Sequence, residues 1–418
     1  MKFSFPAYLK IESSSDDVVR KSILFAKEAP ETSIKYLFDE RYISDIESVI
    51  GSIIQHPVST IFVVGIGGAN LATKAFYDAH VGFVEGIRNL TRRMIFLDTN
   101  NSDTMAAVED RITTISSIED FLVIIVSKSG KTIETLANTE FLLHRLEQSF
   151  QEVSSRILVV SSASSALFKE ATEKGIKTVS LPEQLSDRFS AFSPTTIVPL
   201  LAFGFSVKEF LSFAKSAYSK LQDGDEVMKS VSLLNAAYKD QKHIFDLFFF
   251  SSRYETLAKW HRQLVAESLG KSTNHDGKKV VFGFTPTISM GTTDLHSVLQ
   301  LNLAGPKERV TEFVSVEYTP HESVGDSKTL DLLPQGITQK NAEEITGVIL
   351  DSVKNSYQKE DLPFFEIELS YSEVKAIAEY MVFAMLQTIA LGDLWDVTVF
   401  DQPNVEEYKN AARETLER

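Results

Sequence analysis

From residue 59 onward, short β-branched apolar runs alternate with amphipathic stretches of helical length, the pattern of β-α-β units that build a parallel sheet. The alternation predicts strands over 60–65, 94–98, 122–127, 157–161 and 178–181, with helices over 69–79, 103–111, 132–148 and 165–174 between them. That is one five-stranded, doubly wound domain. A second alternation follows the proline-marked segment 192–199. Its predicted helices cover 199–221, 225–239, 254–268, 293–303, 342–354 and 371–391, and its strands 244–250, 279–284, 310–316 and 364–369. The fold class read from this is α/β, with two domains of mainly parallel sheet flanked by helices. The expected division is an N-terminal helical segment (1–45), a first domain (46–190), a larger second domain (191–390) and a C-terminal helical segment (391–418).

Composition narrows the partners. Of 418 residues, 43% are hydrophobic and 24% charged, the balance of a folded globular chain. A net charge of −15 sets a repulsive field against a nucleic-acid backbone, so nucleic acid is not expected as a partner. There are no cysteines, which excludes disulfides, thiolate nucleophiles and iron–sulfur clusters. The longest apolar run read from the sequence, 195–207, falls short of the roughly 20 residues that span a bilayer. Residues 1–10 lack the long apolar stretch of a secretory signal. A cytoplasmic location without a membrane partner is expected.

Two turns carry candidate chemistry. Gly65, Gly67 and Gly68 stand where a strand hands over to a helix, and glycines there let backbone N–H groups approach an anion. A dinucleotide fingerprint would need glycine at position 70, where Asn70 stands, and its acidic partner about 20 residues on, whereas Asp98 comes 33 residues after Gly65. Packing of a helix on the sheet is the plainer alternative for this turn. The second turn, Ser127-Lys128-Ser129-Gly130-Lys131-Thr132, places three hydroxyls and two cations before a helix, a set suited to the terminal oxygens of a phosphate monoester. A P-loop would require glycine at position 125, which is Ile125. Helix capping by Ser129 or Thr132 is the plainer reading here.

Acid, base and cation candidates follow. Gln263 and Glu267 are four apart on a predicted helix and share a face, and a carboxylate at that helix end is a candidate general base. His296 sits in a predicted helix start and is the side-chain type suited to proton transfer near neutrality. Arg188, and Lys409 after Asp401-Gln402-Pro403, could stabilise developing negative charge. Each alone is more commonly a surface or packing residue. No spacing typical of metal ligands is present, and no metal or cofactor is expected.

Taken in order, these motifs resemble the glucose-6-phosphate isomerase (phosphoglucose isomerase) family, especially its shorter bacterial members. The resemblance runs from about residue 60 to the C-terminus. It rests on the Gly65–Gly68 turn, the segment 127–135, Asp187-Arg188-Phe189-Ser190, Gln263 with residues 267–271, residues 292–297, and Asp401-Gln402-Pro403 followed by Tyr408-Lys409. It implies two SIS-type (flavodoxin-like) domains and interconversion of D-glucose 6-phosphate and D-fructose 6-phosphate, in glycolysis and gluconeogenesis, by ring opening and proton transfer through a cis-enediol. It assigns Ser127, Lys128, Ser129 and Thr132 to the phosphate, with Gly67 and Gly68 beside the substrate and Gln263 and Gln402 lining the site. Glu267 becomes the base, Arg188 the cation facing the intermediate, and His296 with Lys409 the ring-opening pair. A homodimer is implied, with His296 supplied by the neighbouring subunit. Four positions depart from the family pattern: Ala69 replaces a serine, Lys131 a threonine, and Ser186-Asp187 a pair of glycines. The alternatives are an isomerase of another phosphosugar, such as mannose 6-phosphate, with single or dual specificity, and a non-catalytic SIS-type phosphosugar-binding regulator.

Overall fold

The computed structural model describes residues 1–6, 13–39, 41–82, 90–222, 225–317, 322–325, 329 and 336–416. In chain order its strands are β1 (Lys2–Ser4), β2 (Thr60–Val64), β3 (Arg93–Leu97), β4 (Phe121–Val126), β5 (Ile157–Ser162), β6 (Lys177–Leu181), β7 (Ile244–Phe249), β8 (Lys271–Thr273), β9 (Lys279–Phe282), β10 (Thr285–Met290), β11 (Arg309–Val316) and β12 (Phe364–Leu369). They fall into two compact units. The first is formed by Ile23–Ser216 and Val399–Arg418, the second by Met1–Ser22 and Ala217–Thr398.

In the first unit the sheet order is β3-β2-β4-β5-β6, parallel throughout. Every residue of β2, β4 and β5 is buried, because helices cover both faces of the sheet. Unbroken runs such as Phe-Leu-Val-Ile-Ile-Val in β4 are the sequence signature of that environment. Each such side chain contributes roughly 1.5–3 kcal/mol by leaving water. The chain leaves β2 toward β3 on one side and β4 toward β5 on the other. The crevice at the carboxyl ends of β2 and β4 is therefore the switch point where α/β sheets bind ligands.

The second unit's sheet runs β1-β12-β11-β7-β10, parallel except for β1, which pairs antiparallel with β12 at the edge. Helix Glu373–Leu394 packs on one face, with residues 376–392 buried. By length and apolar composition this helix could cross a membrane, but it forms a protein core here.

Several elements differ from the sequence expectation. The strand expected over 279–284 ends at Phe282 and pairs antiparallel with β8, and its expected place in the main sheet is taken by β10. Gly283, at φ 145°, separates the two, and a Cβ there would come 3.0 Å from the Gly270 Cα. The helix expected over 199–221 is two helices, Pro194–Phe203 and Val207–Leu221, broken at Gly204. That residue takes the left-handed conformation, φ 95°, that glycine adopts without strain. The stretch 293–303 divides into a 3₁₀ turn, Thr293–His296, and a short helix, Leu299–Ala304.

Candidate active site

In the first unit the two candidate turns meet at the switch point. The Gly65 backbone lies so close to β4 that a Cβ would come 2.8 Å from the Val126 carbonyl oxygen. A Cβ on Gly68 would come 2.4–2.7 Å from backbone atoms of Asp187 and Arg188, so only glycine fits. Ser190 fastens the same junction, its Oγ donating to the carbonyl oxygens of Asp187 at 2.6 Å and Gly68 at 3.1 Å. The sequence had offered Ser190 only as part of the arginine turn.

The 127–132 turn leads into helix Ile133–Ser149. Gly130, at φ 63°, makes the bend, with the Leu167 and Ser165 side chains against the place a Cβ would occupy. Thr132 is the residue before the helix, yet its hydroxyl makes no capping hydrogen bond. The first-turn N–H groups beside it lack helical acceptors. Ser129 Oγ accepts from the Lys131 N–H at 3.2 Å, and Ser127 is buried. Lys128 Nζ donates to the Leu185 carbonyl at 2.7 Å and lies 3.7 Å from Asp187 Oδ1.

Arg188 is 1% exposed. Its guanidinium donates to the Val399 carbonyl at 2.5 Å, to the Asp401 carbonyl at 2.9 Å, and to Gln402 Oε1. The structure thus joins Arg188 and Gln402, which are 214 positions apart in sequence, and fixes the cation through planar, multi-pronged contacts that lysine could not reproduce. Lys409 stands apart from that cluster in its bonding. It lies on helix Glu406–Leu416, which buries no residue, and donates to Glu406 at 2.8 Å.

In the second unit, Gln263 and Glu267 lie near the end of helix Glu255–Leu269, and Gln263 Nε2 donates to Glu267 Oε1 at 3.0 Å. Gln263 Oε1 is buried without a hydrogen-bond partner. On the buried side of this helix, its residue His261 meets Tyr380 Oη through Nδ1 at 2.8 Å, and the tyrosine donates to Glu312 Oε1 at 2.5 Å. All three are fully buried. Burial drives the Glu312 carboxyl up to about 8 and the His261 imidazole down to about 3, so both are neutral at neutral pH and the helix is held by uncharged hydrogen bonds. His296 is exposed on the 3₁₀ turn after β10. Asp294 braces that turn, accepting from the Met290 N–H at 2.7 Å and from Ser297 Oγ at 2.8 Å.

Within the first unit, a glycine-lined switch point, a hydroxyl-rich turn before a helix and a buried arginine suit the gripping of a phosphate; within the second, a carboxylate paired with an amide suits the movement of a proton. A family model described as phosphoglucose isomerase matches residues 40–418. The chain belongs to the phosphoglucose isomerase family. A probable glucose-6-phosphate isomerase of Methanococcus maripaludis is 28% identical over 361 residues, 85% of this chain and 78% of that one. The glucose-6-phosphate isomerase of Campylobacter jejuni is 28% identical over 353 residues, 84% and 83% of the two chains. The fold is shared with a crystal structure of a glucose-6-phosphate isomerase from Chlamydia trachomatis, at a TM-score of 0.79 and 19% identity, covering 99% of this chain and 88% of that one. Membership in the phosphoglucose isomerase family makes this chain an aldose–ketose isomerase.

Proposed function

We propose that the chain interconverts D-glucose 6-phosphate and D-fructose 6-phosphate, with the residues placed above in the following roles. The observation that carries this reading is the family match over residues 40–418, joined to the two pairs Arg188–Gln402 and Gln263–Glu267. Ser127, Lys128, Ser129 and Thr132, with the backbone at Gly67 and Gly68, hold the phosphate. Binding energy from that remote group positions the reacting carbons. His296 and Lys409 open the sugar ring. Glu267 removes the C2 proton and returns it to C1, and the Arg188 guanidinium stabilises the cis-enediol between the two steps. No redox change of a cofactor is required, because oxidation at C2 and reduction at C1 balance within the substrate.

The reading includes a cytoplasmic homodimer in which His296 serves the neighbouring subunit's site. Topology supports this arrangement. Helix Glu255–Leu269 is the crossover from β7 to the parallel neighbour β10, so it runs back against the strands and ends near their amino ends. His296 follows the carboxyl end of β10. The six residues of that strand span about 20 Å, so Glu267 and His296 of one chain belong to opposite ends of one sheet.

The test is a coupled assay of fructose 6-phosphate conversion to glucose 6-phosphate on the purified protein, with mannose 6-phosphate as the competing substrate. Turnover of the glucose–fructose pair well above that of mannose 6-phosphate is expected. A folded protein that turns over neither would overturn the reading.

A further inference from the structure

We propose that Asp187 is an internal competitor for phosphate: its carboxylate occupies Lys128 in the free protein and sets how tightly the site takes a phosphosugar. The inference rests on the reading of residues 127–132 as the phosphate cradle. A carboxylate beside such a cradle works against its purpose, and three observations keep it there. The backbone of Asp187 is pressed against Gly68, where no Cβ fits. Its carbonyl is fastened by Ser190 Oγ at 2.6 Å. Its neighbour Arg188 is buried and bonded to Val399, Asp401 and Gln402. The turn therefore cannot swing away, and the side chain stands 3.7 Å from Lys128 Nζ.

Lys128 has little freedom to escape the pairing, since its ammonium also donates a hydrogen bond to the Leu185 carbonyl, two residues before Asp187, at 2.7 Å. Only 26% of the lysine side chain is exposed, against 47% for the aspartate. An incoming phosphate must share or displace the ion pair while feeling the repulsion of the Asp187 charge. A dianion feels that repulsion twice as strongly as a monoanion. Water screens a half-exposed pair, which limits the effect to about three- to tenfold in affinity.

The experiment compares the parent, Asp187→Asn and the double variant Ser129→Ala/Thr132→Val by two readings: KM for fructose 6-phosphate and the inhibition constant of inorganic phosphate. Thermal melts report folding. The expected result is that Asp187→Asn lowers both constants about three- to tenfold, with the gain carried by KM rather than kcat, while the double variant raises both. If Asp187→Asn leaves the constants unchanged or raises them while the double variant weakens phosphate, the aspartate positions Lys128 rather than competing for it, and the inference falls alone. If the double variant also leaves phosphate inhibition unchanged, the cradle reading itself falls.

Discussion

The two units are built around sheets of equal strand number but hold their candidate site residues by different means. In the first unit backbone presses on backbone: Gly68 against Asp187, Gly65 against Val126, and Arg188 bonded to the carbonyls of Val399 and Asp401. In the second unit side chains carry the geometry, through Gln263 on Glu267, Asp294 around the His296 turn, and the buried His261–Tyr380–Glu312 chain on the buried side of the Glu267 helix. On the proposed roles, the phosphate grip is fixed by the main chain, whereas the proposed base Glu267 and His296 sit on a helix end and an exposed turn, where side chains can adjust.

The largest effect that would break this contrast is a restoration from near zero. In the proposed homodimer, Glu267→Gln and His296→Ala are each expected to be inactive. Mixed and allowed to exchange subunits, they should regain about a quarter of parental activity, because half of the dimers are mixed and each has one intact site. No recovery after demonstrated exchange would place both residues in one chain's site. Next, Arg188→Lys keeps the charge but loses the fork that reaches Gln402 and two carbonyls, and kcat should fall about 10²-fold, as for loss of one oxyanion donor. A fall under threefold in steady-state kinetics would remove Arg188 from the intermediate.

Gly68→Ala forces a methyl group into the Asp187–Arg188 backbone, and chemical denaturation should show a loss of about 1–3 kcal/mol together with weaker phosphate binding. The smallest effect sharpens the second unit's side of the comparison. Glu312 carries a folded value near 8, raised from 4.5, so its contribution to stability is complete below pH 4.5 and is lost as pH rises through 8. His261, lowered from 6.5 to about 3, contributes in the opposite direction, and its contribution is lost as pH falls from 6.5 toward 3. The two oppose one another between pH 4.5 and 6.5, which leaves Glu312 alone of this pair above 6.5. Relative to Glu312→Gln, the parent should therefore lose about 1–2 kcal/mol between pH 6.5 and 8. Parallel pH–stability curves would show that the carboxyl is already ionised at pH 6.5.

Legibility in the sequence follows the same division. The first sheet was readable because burial on both faces leaves unbroken apolar runs of four or more residues, 61–64 in β2, 121–126 in β4 and 157–160 in β5, so each strand announces itself. β10 was missed because an edge strand needs no such run: Thr-Pro-Thr-Ile-Ser-Met includes a proline, and its Thr287 and Ser289 hydroxyls bond to the buried Asp246. β1 has three residues and takes its place in the sheet from β12, 362 or more positions away in sequence. At the site, the four-residue spacing of Gln263 and Glu267 implied a shared helix face, and the side chains meet at 3.0 Å. Nothing local could pair Arg188 with Gln402, or show that Gly68 lies under Asp187, because those contacts exist only once the chain returns across the sheet.

The most direct test of the account is proton exchange with solvent, run on the parent and on Glu267→Gln. In deuterated water the parent should place deuterium at C1 of fructose 6-phosphate and C2 of glucose 6-phosphate. The variant should lose both turnover and incorporation by at least about 10²-fold while still binding inorganic phosphate. Deuterium incorporation at the parental rate by the folded variant would show that another group moves the proton.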